Sequence, residues 1–211
     1  MRFEHVKALP FVGESYNKET PWGLPILILG EAHYTTIPLY PEITNEVVEG
    51  SVTPDRKWES WMMIFAKTPG IFHGGWTDPE QRRRFWSSMA FYNYVQESVG
   101  SEARTRPTEE MWKNAVPAFE EVVNHLQPRF ILVLGNELWK NLPKTSKPGP
   151  PVSLSDGELR ESRLYPNGAG DAFVFGIAHP SSIGWSYKKW TPWVQAALKA
   201  AIQFQKGGKA A

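Results

Sequence analysis

Four short apolar runs stand out along the chain, each bounded by turn-forming or polar residues. They are Ile26-Leu27-Ile28-Leu29, Met89-Ala90-Phe91-Tyr92-Asn93-Tyr94-Val95, Phe130-Ile131-Leu132-Val133-Leu134-Gly135 and Phe173-Val174-Phe175-Gly176-Ile177. Such a run predicts a buried strand of a parallel sheet. The run that contains Asn93 ends in polar groups.

Between these runs the apolar period lengthens to that of a helix. Trp58, Trp61, Met62 and Phe65 recur at i, i+3, i+4 and i+7 and predict a helix over Lys57–Ala66, which Thr68-Pro69-Gly70 should stop. Asp78 as N-cap and Pro79 at the first helical position open another helix, which runs through Arg82-Arg83-Arg84-Phe85-Trp86. Thr108 caps a third, with Glu109 and Glu110 in its first turn. Its stripe is Met111, Trp112, Ala115, Phe119, Val122 and Val123, and Leu126-Gln127-Pro128 ends it. A short helix is expected over 136–142 and a last one over 191–205, with Trp190, Val194, Ala197, Leu198 and Ile202 on one side. Pro10, Gly13, Pro21 and Pro25 make residues 1–25 a loose lead-in, and residues 35–53 read as a loop or short helix near the strand ends. Arg104 to Pro107 reads as a loop, residues 144–151 as another, and 153–165 as a strand or small excursion.

Strands alternate with helices, and neither an internal repeat nor a composition break divides them. The pattern predicts a single α/β domain over 1–211, with its core at about 24–205. The expected architecture is a three-layer α/β/α sandwich around a central, mainly parallel four-stranded sheet.

Composition narrows the chemistry. A net charge of +1 over 211 residues supplies no global basic field, so any nucleic-acid binding must come from local patches. The absence of cysteine excludes disulfides, zinc–thiolate sites, cysteine nucleophiles and cysteine-ligated iron–sulfur clusters, and it suits a cytoplasmic protein. Residues 1–17 lack the apolar centre of a signal peptide, and no apolar run approaches the ~20 residues of a membrane helix. Most of the ten Trp are expected in the core, with a few left for a binding surface.

In open α/β sheets ligands sit just beyond the carboxyl ends of the strands. The first strand runs into Gly30-Glu31-Ala32-His33-Tyr34 and the last into Ala178-His179-Pro180-Ser181-Ser182. One site built from both ends would hold Glu31, His33, His179 and the two serines. Taken singly, a histidine at a loop is more often a capping group, and an Asn more often satisfies loop backbone. The pairing of the two loops is what favours function.

The order GEAHY, FYNY, helix, LGNELW, AHPSS resembles the uracil-DNA glycosylase superfamily over roughly residues 24–200. Gly30-Glu31-Ala32-His33-Tyr34 is similar to its first motif and His179-Pro180-Ser181 to its second, while Asn93 matches its base-reading Asn. The chain departs from two branches of the family. One usually carries a four-cysteine iron–sulfur cluster, which this chain lacks the ligands for, and the Asp-Pro-Tyr of another is replaced by Ala32-His33-Tyr34.

The resemblance implies a glycosylase that flips a nucleotide out of the stack and breaks its N-glycosidic bond, with no cofactor or metal and as a monomer. His179 would donate a neutral ring N–H to the departing base. Glu31 would position water or stabilise the cationic sugar, with His33 the competing candidate for that task. Asn93 would read the base edge with its donor and acceptor, Tyr34 would wall the pocket, and Phe72 or Phe65 would stack on the base. Ser181 and Ser182 would bind flanking phosphates, Ile183 or Trp185 would fill the gap left in the stack, and Lys188 and Lys189 would add positive charge. Arg82-Arg83-Arg84 reads as a solvated helix face, with a backbone-contacting patch as the alternative. Two other readings stand beside this one. One is a DNA- or nucleotide-binding protein without turnover. The other is a hydrolase using His179 as base and Ser181 or Ser182 as nucleophile, though the serines lack a Gly-x-Ser-x-Gly setting.

Overall fold

A computed structural model describes residues 3–207 apart from 19, 54–56, 58 and 101–104. Trp58 and Arg104, named above, therefore lie outside the described residues. The sequence folds as a three-layer α/β/α sandwich. Four parallel strands form its centre: β2 (Ile26–Gly30), β3 (Met89–Asn93), β4 (Phe130–Leu134) and β9 (Asp171–Ile177). Their order in space is β3-β2-β4-β9, so β2 lies between β3 and β4.

The sheet is wider than the four strands expected. β1 (Phe11–Val12) adds antiparallel to β3, and β8 (Arg163–Pro166) and β5 (Lys147–Pro148) extend the far side beyond β9. A separate two-residue hairpin pairs β6 (Val152–Ser153) with β7 (Leu159–Arg160). These additions are two to four residues long, too short to imprint an apolar period on the sequence. The lead-in is likewise better fastened than its prolines and glycine imply. The Glu121 carboxylate accepts the N–H groups of Glu4 and His5, and the Gln96 side chain accepts those of Lys7 and Ala8.

Alternation within the central strands divides the core in two. Ile26, Ile28, Phe91, Phe130, Leu132, Phe173 and Phe175 face one side. There they meet α1 (Ile43–Val52), α2 (Met63–His73), α3 (Pro79–Ser87) and α6 (Tyr187–Gly207). Leu27, Leu29, Tyr92, Ile131, Val133 and Val174 face α4 (Glu109–Leu126) and α5 (Asn136–Asn141). Caps hold where the sequence predicts them. Asp78 and Gln81 form a reciprocal capping box, Thr108 accepts the Met111 N–H, and Gln127 ends α4 in the left-handed region at φ 47°.

Three helix boundaries differ from expectation. The helix expected from Lys57 begins at Met63, after one tighter turn over Ser60–Met62. α2 continues through Pro69 to His73. A proline leaves the carbonyl four residues earlier without its donor, and here the buried Trp86 Nε1 donates to that Phe65 carbonyl at 3.0 Å. α6 begins at Tyr187, ahead of Thr191, because the Ser186 hydroxyl accepts the Lys189 N–H and its carbonyl accepts the Trp190 N–H.

Candidate active site

Three of the four parallel strands end in chemistry. Gly30 and Asn93 are register partners at the ends of β2 and β3. A side chain at Gly30 would fall on Asn93 Oδ1 and on the edge of the Phe91 ring, so glycine is what lets the Asn93 amide lean over β2. Asn93 is only 7% exposed, yet its amide makes no hydrogen bond among the described residues. Its carbonyl accepts from Gln96 Nε2 at 2.8 Å, which fixes the turn below it.

Beyond Gly30 the chain keeps strand-like pairing. Tyr94, Val95 and Val99 donate backbone N–H groups to the carbonyls of Gly30, Glu31 and His33. This rigid run buries Glu31 to 8% exposure. Arg106 Nη1 donates to both of its oxygens, at 2.9 and 3.2 Å, and the Tyr34 hydroxyl donates to Oε1 at 2.9 Å. A buried carboxylate needs such partners. Arg106 is itself 61% exposed, so the pair stands at the mouth of the site. Tyr34 is half-exposed, and burial together with the Glu31 charge pushes its hydroxyl up to about 12. Its ring is tethered to Glu31 through that hydroxyl.

His33 turns away from Glu31's partners. Its Nε2 lies 3.1 Å from the Thr44 hydroxyl of α1, and both residues are buried. Burial pushes its pKa down to about 4. The contact ties the loop to α1.

At the end of β9, His179 Nδ1 accepts the Ser181 backbone N–H at 3.2 Å. That bond assigns the ring proton to Nε2, which has no hydrogen-bond partner among the described residues. Burial, with the Arg106 and Lys67 cations adding to it, pushes His179 down to about 4, so the ring is neutral at pH 7. The loop that follows is braced from α2. Lys67 Nζ donates to the Pro180 carbonyl at 2.8 Å and lies 5.0 Å from the centre of the Trp185 ring. Ser182 N–H returns to the His179 carbonyl at 2.8 Å. Ser181 and Ser182 are exposed, Ile183 at the tip is fully exposed, and Gly184 turns the chain at φ 74°. Trp185 is half-buried edge-on to Tyr187, while Lys188 and Lys189 are exposed, the Lys189 ammonium lying 5.4 Å from the centre of the Trp190 ring.

Residues 2–203 match the family described as the uracil DNA glycosylase superfamily, which is nearly the whole chain. The chain belongs to that superfamily. No curated protein matches it. Membership in the uracil DNA glycosylase superfamily supports a DNA glycosylase-type activity and DNA as the partner, and the three-layer fold agrees with it. Among the described residues no helix is long and apolar enough to cross a membrane.

The structure departs from the sequence reading at both stacking candidates and at the serines. Phe72 is a core residue, packed edge-on against Trp22 and inclined against Phe85 at ring distances of 5.1 Å, with no face left for a base. Phe65 is a core residue as well, 3% exposed and packed against Trp61, Trp86 and Phe91. The serine-hydrolase arrangement is absent among the described residues. His179 bonds the Ser181 backbone, and neither serine hydroxyl bonds its ring.

Arg106 and Lys67 were missed. The sequence offers one general pointer to Arg106, that a carboxylate at a buried strand end needs a cation. Nothing in the sequence selects a partner 75 residues away. Lys67 is hidden inside an apolar helix pattern.

Proposed function

We propose that this chain is a monofunctional DNA glycosylase that removes uracil or a related modified pyrimidine from a flipped nucleotide, without a cofactor and as a monomer of one domain. The reaction breaks the bond between the sugar C1′ and the base nitrogen. Water oxygen bonds to C1′, the base leaves as an anion that takes up a proton, and an abasic site remains. The single observation that carries the reading is the tautomer of His179. A neutral imidazole with Nδ1 occupied and Nε2–H unspent is a preorganised donor for the oxygen of the departing base.

The remaining residues fall into roles around that donor. Asn93, nearly buried with an unspent amide, reads the base edge. Three strand spacings of about 4.8 Å separate the ends of β3 and β9, a gap that one nucleobase and a side chain from each side can fill. Glu31, held by Arg106 and Tyr34, stabilises the cationic sugar and orients the water. His33 supports that loop through Thr44 and does not touch substrate. Tyr34 walls the pocket. Ser181 and Ser182 take flanking phosphates, Ile183 fills the vacated place in the stack, and Trp185 braces the loop. Lys188 and Lys189 add charge along the backbone track.

The test is incubation with labelled oligonucleotides carrying uracil, hydroxymethyluracil, hypoxanthine or no lesion, followed by alkaline cleavage of abasic sites. Strand breaks at one lesion that disappear in Asn93→Ala and His179→Ala support the reading and name the base. Salt-sensitive DNA binding with no abasic product at any lesion favours a binding protein on the same fold. The engagement of Glu31 by Arg106 and Tyr34, which leaves it about one acceptor site, is the feature consistent with that alternative.

A further inference from the structure

We propose that Trp76 and Arg82, with Arg83 beside them, form a second DNA contact: a platform for one base and its phosphates in the strand flanking the flipped nucleotide. The inference rests on the glycosylase reading for its partner and on separate residues for its geometry.

Trp76 sits in the turn between α2 and α3 and is 59% exposed, an unusual position for a side chain with so much apolar area. Its ring carries the Arg82 guanidinium at 5.4 Å from the centroid. Among the described residues Arg82 and Arg83 form no ion pair. The acids nearby are already engaged. Glu80 holds Arg84 at 2.5 Å, and Asp78 accepts the Gln81 N–H as the helix cap. The Arg82 guanidinium therefore keeps its charge beside an open indole, with the exposed Arg83 next to it along α3.

This patch is connected by packing to the loop that carries Ile183. α2 and α6 approach closely at Gly70, where a Cβ would strike the Tyr187 ring and the Gly75 carbonyl. Tyr187 packs edge-on against Trp185 at 5.1 Å, and Arg82 lies within electrostatic reach of the Tyr187 hydroxyl. A chain of contacts thus links Trp76 and Arg82, through the half-buried Tyr187 and Trp185, to the loop that carries the exposed Ile183, and Lys188 is exposed beside it. A flat ring beside a planar cation suits an unpaired strand, which offers a base face and a phosphate at each nucleotide. An acidic protein segment would use the charge and leave the indole idle.

The test uses the full chain and a lesion-free, fluorescently labelled single strand of about 16 nucleotides, the upper range for one binding surface. Anisotropy is read across a salt series. Trp76→Ala should weaken binding by about fivefold or more, and Trp76→Phe should restore most of it. Arg82→Ala with Arg83→Ala should lower the slope of log K against log salt by about 1.4, the value for two contacts to a single strand. Wild-type affinity and slope in these variants, or no binding by the wild type, would overturn the proposal. The readout needs no base excision. A chain that excises nothing but shows these losses keeps the platform and loses the glycosylase reading; one that excises without them does the reverse.

Discussion

Asn93 Oδ1 occupies the space that a side chain on Gly30 would take. On the proposed reading, the placement of the base-reading amide and the packing of β2 on β3 are therefore one constraint. Gly30→Ala should push the amide aside, cost about 1–3 kcal/mol of stability through overpacking, and lower excision as strongly as Asn93→Ala. The two substitutions should not add when combined. Additive losses in excision rate would separate the residues.

His33 and His179 make the fold sensitive to mild acid. An unfolded histidine takes up its proton near pH 6.5, whereas these two resist until about 4. Between those values the unfolded chain binds more protons than the native one, so stability falls as pH drops from about 6.5 to about 4. Above that window the two groups have no effect on it. The loss is up to roughly 3 kcal/mol for His33 and less for the partly exposed His179. Urea midpoints at pH 7.5 and 5 should differ accordingly, and His33→Asn should shrink the difference. A midpoint that does not move with pH contradicts this.

Removing Arg106 should expose how far Glu31 depends on it. Arg106→Gln leaves a nearly buried carboxylate with only Tyr34 as donor, at a cost of about 1–2 kcal/mol after allowance for the exposed guanidinium. On the proposed reading excision should drop about tenfold or more, because the carboxylate assigned to the sugar loses its hold. A double-mutant cycle with Glu31→Gln measures the coupling in both stability and rate, and zero coupling would dissolve the pair.

How legible was this arrangement in the sequence? The parallel strands were, because buried runs such as Phe130–Leu134 leave no polar alternative. Thr108 and Asp78 were too, because a cap acts within three residues of itself. What escaped depends on distance along the chain. The donor that carries α2 past Pro69 comes from Trp86, and the partner of Glu31 is Arg106. Phe72 and Phe65 read locally as possible stacking rings, and only the packing of Trp22, Trp86 and Phe91 around them, from distant parts of the chain, makes both core residues. The loops after β2 and β9 announced themselves by composition, yet nothing in GEAHY distinguishes a histidine aimed at Thr44 from one aimed at substrate.

Trp86 allows that long-range substitution of one donor for another to be measured. Trp86→Phe leaves the buried Phe65 carbonyl without a donor and should cost about 1–3 kcal/mol beyond the change in packing. Pro69→Ala in the same background returns a backbone N–H to that carbonyl and should recover part of the loss. Chemical denaturation of the four proteins tests it, and no recovery would assign the cost to packing alone.

Ile183 should matter to duplex and not to stability. Ile183→Gly removes a fully exposed side chain, so the thermal midpoint should stay put. The rate on duplex relative to single strand should fall about tenfold, because the energy of unstacking goes unrepaid. Equal losses on both substrates would deny it the role of wedge.

The first residues have a consequence of another kind. Phe11–Val12 pairs with the outer side of β3, and the N–H of Gly13 bonds the Met89 carbonyl. Gly13 itself is pressed against the Trp86 and Ser87 carbonyls. Peeling this short strap away would bare a row of backbone donors and acceptors on the very strand that ends in Asn93. A bare row of that sort recruits strands from other molecules. Chains that lose their grip on this segment would therefore stick to one another while their pockets were still intact, and the first failure of this protein under stress would be clumping and not loss of the site.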